Sequence, residues 1–451
     1  METRHAEVSF GEAVRAFCRV AALSFGGPAG QIAVMHRILV EEKRWITERR
    51  FLHALNYCMV LPGPEAQQLA TYTGWLLHGW RGGLVAGGLF VLPGFISILA
   101  LSVLYAGFRD ATLVQALFFG IKAAVLAVVV QAVIRMGRSA LRNAVMVLLA
   151  ALAFVALFIF AIPFPVVILG AALAGWVGQR LAPHWFVFDD EADDEAATAA
   201  RSSGGASWRR ALGVLAIWVP LWVVPVVIIS RLMGPDSVFT QAGFFFSKMS
   251  LVSFGGAYSV LAYVAQEAVQ QYGWLGPGEM LDGLGMAETT PGPLIQVVQF
   301  VGFMGAYRFP GGLDPMTAGV LASVLVTWVT FVPCFLWIFL GAPWIETLRG
   351  HRAVNATLSA VTAAVVGVML NLAAWFAIHV LFAQVTTIDR WGMHLAVPEP
   401  ASVQWASLAL AVAAFVALFR YKAGMLTVLL ISALVGMAYF LGVAYAWQWP
   451  A

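Results

Sequence analysis

Nine long apolar runs restrict how this chain can fold. They lie at residues 84–108, 111–134, 143–162, 164–182, 211–232, 316–341, 354–382, 403–419 and 424–447. Most of them reach the roughly 20 residues that an α-helix needs to cross the hydrocarbon core of a bilayer. They lack the alternation of polar and apolar residues that is typical of a membrane β-barrel. The runs therefore predict an all-α polytopic membrane protein.

The composition favours the same class. Hydrophobic residues make up 61% of the 451 residues and charged residues only 11%, whereas soluble domains have about 25% charged residues. A soluble enzyme of this size would have too little polar surface to face water. A nucleic-acid-binding protein is excluded as well, because it needs clustered Lys and Arg. The three cysteines have no CxxC spacing, so we expect neither a disulfide framework nor a metal site. We also expect no cofactor and no enzymatic activity.

The two halves of the chain are related in sequence. The segment FCRVAALSFGG at 17–27 matches FSKMSLVSFGG at 246–256, with an offset of 229 residues. Compared without gaps, positions 17–68 and 246–297 share 14 identities in 52, where chance in so biased a composition gives roughly a tenth. The same offset pairs Trp45 with Trp274. The chain therefore contains an internal repeat.

An acidic segment separates the two halves. Six acids fall between Asp189 and Glu195, and a Ser/Gly-rich stretch follows them. This composition is typical of a flexible linker. We therefore divide the chain into a first repeat at 1–182, a linker at 183–210 and a second repeat at 211–451.

The distribution of positive charge predicts that the two repeats are inverted in the membrane. The stretch 36–50 of the first repeat holds five cations, namely Arg37, Lys43, Arg44, Arg49 and Arg50, and the matching stretch 265–279 holds none. Since Lys and Arg are enriched in cytoplasmic loops, the first stretch is predicted to be cytoplasmic and the second external. Inverted repeats are common in transporters, whose substrate sites lie at the repeat interface near the middle of the membrane.

The first repeated motif is SFGGP at 24–28, with its twin SFGG at 253–256. Paired glycines leave helical geometry at low steric cost, and the proline removes a backbone donor. Irregular backbone at membrane depth is tolerated only inside protein or beside water. The free N–H groups of a following helix would attract an anion. The alternative interpretation is close packing between helices, in which glycine is common.

The second repeated motif is Pro-Gly-Pro, at 62–64 and 291–293. It cannot continue a helix, so it splits residues 52–80 into two half-helices that are each too short to span the membrane. A hairpin that re-enters the membrane is predicted, with Glu65, Gln67 and Gln68 in the first turn of its second half-helix. The alternative interpretation is an ordinary surface turn.

Two pairs of cations occupy equivalent positions in the repeats. Arg19 corresponds to Lys248, and Lys122 corresponds to Arg352 in a weaker match. A cation within an apolar span costs several kcal/mol and commonly marks a pathway or a partner. The pairs therefore favour an anionic substrate. The alternative is that these side chains snorkel to lipid headgroups.

Two carboxylates break the repeat symmetry. Glu65 follows the first Pro-Gly-Pro where the second repeat has Leu294, and Glu288 precedes the second where the first repeat has Met59. A desolvated carboxylate near a cation can change protonation when substrate enters, which is what proton coupling or gating requires. The alternative is that each carboxylate only neutralises a nearby cation.

These motifs resemble the bacterial chromate ion transporter family, in its long-chain, two-domain form. The resemblance is carried by SFGGPAGQIAVMHRILVEEKRWI and LPGPEAQQLATYTGWLLHGWRGGLVAGGLFVLPG in the first half. In the second half it is carried by SFGGAYSVLAYVAQEAV and AETTPGPLIQVVQFVGF. It implies an inner-membrane protein that exports chromate, with chromate resistance as the phenotype.

The resemblance and the repeat together give a set of candidate site residues. Those for binding the substrate are Arg19, Gly26, Gly27, Pro28, Gln31, Pro62, Gly63, Pro64, Gln67, Gln68, Lys122, Lys248, Gly255, Gly256, Pro291, Gly292, Pro293, Gln296 and Arg352. Those for proton coupling or gating are Glu65 and Glu288. The second repeat has Ala257 where the first has Pro28, so the two breaks need not be equivalent.

Three functions are compatible with the sequence. The first is a secondary transporter that exports chromate, with protons as a potential coupling ion. The second keeps the fold but carries sulfate or another oxyanion, taken up with protons. The third, a remote alternative, is a membrane enzyme or lipid-phosphate-handling protein. The expected partners are an oxyanion, the lipid bilayer and protons, with no nucleic acid, and the oligomeric state is open.

Overall fold

The protein is an all-α polytopic membrane protein, as its apolar runs predict. The computed structural model describes residues 8–108, 112–186, 208–254, 257–341, 352–390 and 392–448. Within these ranges, seven helices are long and apolar enough to cross a membrane, and two shorter apolar helices span Ala144–Phe158 and Trp405–Phe419. All nine apolar runs lie largely within helices.

The first repeat starts with two broken segments and ends with three apolar helices. Its helices are α1 (Phe10–Leu23), α2 (Gly27–His36), α3 (Glu48–Val60), α4 (Glu65–Phe108), α5 (Thr112–Ala140), α6 (Ala144–Phe158), α7 (Phe164–Leu181) and the short α8 (Pro183–Phe186). The linker residues 187–207 lie outside the described residues.

The second half begins with an additional helix and then continues in the same order. Its helices are α9 (Trp208–Met233), α10 (Val238–Val252), α11 (Ala257–Ala265), α12 (Pro277–Thr289), α13 (Val297–Arg308), α14 (Pro315–Gly341), α15 (Arg352–Leu381), α16 (Trp405–Phe419) and α17 (Met425–Gln448). The helix α9 precedes the segment of the second half that matches the first repeat.

The repeat extends to the details of the backbone. The helices α3 and α12 are offset by 229 residues at both ends, and each is preceded by a π-helical turn, at Arg37–Glu42 and Gln266–Gln271. After each turn the backbone N–H of a tryptophan donates to a carbonyl oxygen within the turn. Trp45 donates to Leu39 at 3.0 Å, and Trp274 donates to Ala268 at 2.8 Å. The two repeats thus share one local fold, although most of their side chains differ.

The interruptions of the helices lie where the sequence places them. The helix α1 starts with a capping box in which the Ser9 side chain accepts from the Glu12 N–H, and it ends at Ser24 before the glycines. Both Pro-Gly-Pro segments separate two helices, so the predicted breaks are confirmed. The helix α4 has a further kink at His78 and Gly79. At the repeat offset, this kink corresponds to the end of α13, where the chain leaves that helix before α14 begins.

The two repeats interlock and do not form separate globular units. The helix α5 of the first repeat packs against α15, α16 and α17 of the second, and α15 packs against α6 and α7. Gly120 of α5 allows a close approach to Ser432 and Gly436 of α17, as small residues do between membrane helices. A single large apolar cluster therefore includes residues of both halves.

The segments 265–279 and 383–402, which are poor in Lys and Arg, line one cavity together at one end of the molecule. We call this end the cation-poor face. The loop before α16 forms a two-stranded antiparallel hairpin, β1 (Val385–Arg390) and β2 (Met393–Pro398), a small departure from the all-α expectation. The backbone N–H of His394 donates at 2.8 Å to the carbonyl oxygen of Ile159, a residue that lies between α6 and α7. Residues of the π-helical turn Gln266–Gln271 line a cavity of about 600 Å³ beside this hairpin.

Candidate functional site

The broken segments of the two repeats cross and exchange backbone hydrogen bonds. Gly63, in the first Pro-Gly-Pro, donates its N–H to the Ser253 carbonyl at 2.8 Å. The equivalent Gly292, in the second Pro-Gly-Pro, donates its N–H to the Ser24 carbonyl at 2.9 Å. Such a reciprocal exchange is the pattern that a two-fold axis produces. We call this region the crossing.

Both donors at the crossing need to be glycine. Gly63 has a φ of +125° and Gly292 a φ of +106°, which side chains of L-residues rarely adopt. A Cβ at Gly292 would lie 2.9 Å from the Cα of Gly94 in α4, and one at Gly63 would lie 2.9 Å from the Sγ of Cys334. Only a residue without a side chain therefore lets the two repeats approach so closely.

Two helices of the first repeat begin at the crossing. The helix α2 starts at Gly27, after Gly26 has turned the chain with a φ of +87°, and Pro28 occupies its first turn. The helix α4 starts at Glu65, directly after Pro64. The first N–H groups of a helix have no acceptor within it, and they lie at the positive end of the helix dipole. Such helix starts favour anions.

Buried glutamines surround these helix starts. Gln31 donates its amide to the Gly292 carbonyl at 2.6 Å, and Gln68 donates to the Pro62 carbonyl at 2.7 Å. Gln67 donates to Thr71 at 3.1 Å, and Gln296 donates to Gln299 at 2.6 Å. All four amides are at least 98% buried. They provide polarity at the centre of an apolar protein without adding net charge.

A narrow cavity lies against the crossing. Its lining residues include Gly63, Pro64, Ser250, Ser253 and Thr330. The Thr330 hydroxyl and the amide oxygens of Gln67, Gln68 and Gln296 have no hydrogen-bond partner among the described residues. Buried polar atoms are normally satisfied, so unpartnered ones indicate a place for water, a proton or a ligand.

The two predicted carboxylates lie near these helix starts. Tyr258 donates its hydroxyl to Oε1 of Glu288, and Oε2 of Glu288 has no partner among the described residues. A Cβ built on Gly27, the first residue of α2, would lie 4.0 Å from that Oε2. Glu65 is half-buried and is itself the first residue of α4. Each helix start thus has a carboxylate beside it.

The predicted cations lie elsewhere. Arg19 is exposed and pairs with Glu42 at 2.5 Å, Lys248 is exposed, and Lys122 pairs with Asp282 at 3.2 Å. Among the described contacts, none joins these three side chains to either Pro-Gly-Pro segment. Gly255 and Gly256 lie outside the described residues, as does the side chain of Arg352. The structure thus brings the backbone motifs and glutamines together but not the cations.

Sequence reasoning misses two buried polar residues, one at the site and one beside Lys122. Tyr258 holds Glu288 although its twin position in the first repeat is Ala29, so the repeat gives no signal for it. Asp282 is buried against Lys122 and Tyr105. Its charge in the middle of the apolar half-helix α12 is a signal that could have found it.

Comparison with known proteins identifies the family. The family model described as "Chromate transporter" matches residues 11–176 and 240–437, one region in each repeat. The chain belongs to the chromate transporter family. The resemblance noted in the sequence is therefore confirmed, and the two matched regions fit the long, two-domain form of that family.

Curated members of the chromate transporter family are similar over most of the chain. A chromate transport protein of Pseudomonas aeruginosa is 32% identical over 370 residues, which cover 80% of each chain. One of Cupriavidus metallidurans is 28% identical and covers 78% of each chain. A probable chromate transport protein of Synechococcus elongatus is 26% identical and covers 90% of this chain and 96% of its own. No solved structure is detectably similar.

Proposed function

We propose that this protein exports chromate from the cytoplasm across the inner membrane and thereby confers chromate resistance. The observation that carries the proposal is the crossing, where α2 and α4 begin beside buried, neutral glutamines. Oriented N–H groups bind tetrahedral oxyanions without a cation. The names of the curated relatives support chromate as the substrate.

The membrane potential favours export. Moving one elementary charge through 100 mV is worth about 2.3 kcal/mol, so a dianion that leaves a negative-inside cell gains about 4.6 kcal/mol. Uptake of the same ion would need several coupled cations. An exporter therefore needs no further energy source, although protons can alter the charge that is moved in each cycle.

We infer an inverted arrangement of the two repeats around the crossing. The reciprocal Gly63–Ser253 and Gly292–Ser24 hydrogen bonds support a two-fold relation. The five cations in 36–50 and their absence from 265–279 support opposite sides of the membrane. In this arrangement the cation-poor face is external. The crossing then lies near mid-membrane, where transporters of this architecture bind substrate.

Glu288 gives the site a route to proton coupling. Its carboxylate lies beside the start of α2, where a bound dianion would also lie. Two negative groups repel each other there, so protonation of Glu288 favours oxyanion binding. By linkage, oxyanion binding in turn favours protonation of Glu288. Tyr258 and the more distant Arg135 are the ionisable groups that act on Glu288. An oxyanion and a proton would thus bind together and move in the same direction, so that each cycle moves less negative charge.

Sulfate is the second candidate substrate. The donors at the crossing are backbone N–H groups and amides. They would bind the oxygen atoms of a tetrahedral dianion and so would not distinguish chromium from sulfur at its centre. Chromate and sulfate would therefore be separated poorly at this site. Inhibition of chromate transport by sulfate in the same concentration range as its own binding would support a shared site.

Chromate accumulation in cells tests the direction of transport. Cells that express the protein and are given radiolabelled chromate should hold less label at steady state than cells that express Gly292→Ala in equal amount. De-energising the membrane should abolish the difference. Greater accumulation in the expressing cells would contradict export and favour uptake.

A further inference from the structure

A second cavity, of about 460 Å³, opens beside the start of α12 at the cation-poor face. Its lining comes from α5, α12 and α15 and includes Gln404, Ser407 and Phe440. Its volume is about 15 times the ~30 Å³ that one water occupies in the liquid. A hydrated oxyanion therefore fits. We call this cavity the vestibule.

Lys122 is the one Lys or Arg in the described lining of the vestibule, and a carboxylate neutralises it. The Lys122 Nζ lies 3.2 Å from the Asp282 Oδ1, and Tyr105 donates its hydroxyl to the Asp282 Oδ2 at 2.8 Å. The Asp282 side chain is 5% exposed and that of Lys122 is 29% exposed. Both residues line the cavity, and the cation is the more exposed of the two.

The acids of the vestibule have basic counterparts in the other repeat. The repeat offset places His53 at the position of Asp282 and Arg50 at the position of Glu279, and Lys122 corresponds to Arg352. Glu279 is already engaged by Arg308, at 2.5 Å. The vestibule thus combines Lys122 of the first repeat with two acids of the second, whereas the three equivalent positions, His53, Arg50 and Arg352, are all basic.

We propose that the vestibule is a second, low-affinity oxyanion site from which the substrate leaves, and that Asp282 keeps its affinity low. Lys122 binds the passing oxyanion only when the oxyanion displaces Asp282, which is tethered by Tyr105 and returns to Lys122 when the anion leaves. No proton transfer is required. The inference rests on the proposed export and on the cation-poor face being external.

Trans-inhibition by external sulfate tests this proposal. Proteoliposomes loaded with chromate would be assayed for efflux with increasing sulfate on the side of the cation-poor face. In Asp282→Asn, we expect half-inhibition at roughly tenfold lower sulfate than in the wild type, together with a lower turnover. In the double variant Asp282→Asn/Lys122→Gln, the tight inhibition should disappear because the cation is gone.

The matched control is Asp314→Asn, which removes one carboxylate from an exposed position before α14. It should behave as the wild type does. Equal half-inhibition in the wild type, Asp282→Asn and the double variant would overturn the proposal, provided that all are monodisperse.

A direct binding experiment separates this proposal from the proposed function. Radiolabelled sulfate would be titrated onto detergent-solubilised Asp282→Asn and onto the double variant. A saturable component of binding that the first variant has and the second lacks supports the vestibule site, even if the wild type moves no chromate. Equal binding to both variants contradicts the site whatever the protein transports.

Discussion

Gly63 donates its backbone N–H to the carbonyl oxygen of Ser253 across 2.8 Å, which joins the break of the first repeat to that of the second. Its twin Gly292 makes the equivalent bond to Ser24 at 2.9 Å. Each repeat thus completes a backbone interruption in the other. The crossing can form only when both repeats are present, and its irregular backbone is enclosed by protein, as the membrane interior requires.

The two donor glycines are predicted to be sensitive to alanine. Gly292→Ala adds a Cβ 2.9 Å from the Gly94 Cα at a φ of +106°, and strain of this kind costs about 1–3 kcal/mol. We expect a lower thermal unfolding midpoint and strongly reduced chromate flux. The control is Gly88→Ala, since no atom lies within 4 Å of a Cβ at that position. Equal effects of the two substitutions would contradict this view of the crossing.

Gln31 is predicted to stabilise the second Pro-Gly-Pro segment. Gln31→Ala leaves the buried Gly292 carbonyl without its amide donor, which is 2.6 Å away in the wild type, and such a loss costs about 1–3 kcal/mol. Thermal unfolding of the solubilised protein should report it. The exposed Gln270→Ala serves as control and should leave the midpoint unchanged. An unchanged midpoint in Gln31→Ala would show that this bond contributes nothing.

Glu288 is predicted to control the pH dependence of transport. In Glu288→Gln the carboxylate beside α2 is permanently neutral, so oxyanion binding should persist while acidification no longer increases flux. Flux would be measured between about pH 5.5 and 8.5 in the variant, in the wild type and in the control Glu399→Gln, an exposed position. A Glu288→Gln variant with the wild-type pH profile would assign coupling to another group.

The inverted arrangement is predicted to separate two equivalent positions across the membrane. Glu41 and Gln270 are twins at the offset of 229, and both are exposed. Each would be changed to cysteine in a background in which Cys18, Cys58 and Cys334 are alanine. A membrane-impermeant thiol reagent added to intact cells should label Gln270→Cys and spare Glu41→Cys until the membrane is opened. Labelling of both in intact cells would exclude inversion.

Most of the fold could be predicted from the sequence, because the signals that define helices and their breaks are local. Apolar runs define the helices, and the Pro-Gly-Pro segments define the breaks, since proline and glycine act on their own backbone. The pairing of Gly63 with Ser253 could not be predicted, because it depends on how two distant segments pack. The locations of Arg19 and Lys122 depend equally on the partners Glu42 and Asp282, which the repeat comparison does not select.

Chromate flux in proteoliposomes tests the central claim most directly. Purified protein would be reconstituted with chromate inside and assayed under an imposed potential without a pH gradient, then under a pH gradient without a potential, with Gly292→Ala as the inactive comparison. We predict that a potential negative on the side of the cytoplasmic ends drives chromate out and that a pH gradient modifies the rate through Glu288. Flux of neither chromate nor sulfate, in vesicles that contain monodisperse, folded protein, would contradict an oxyanion carrier built on the crossing.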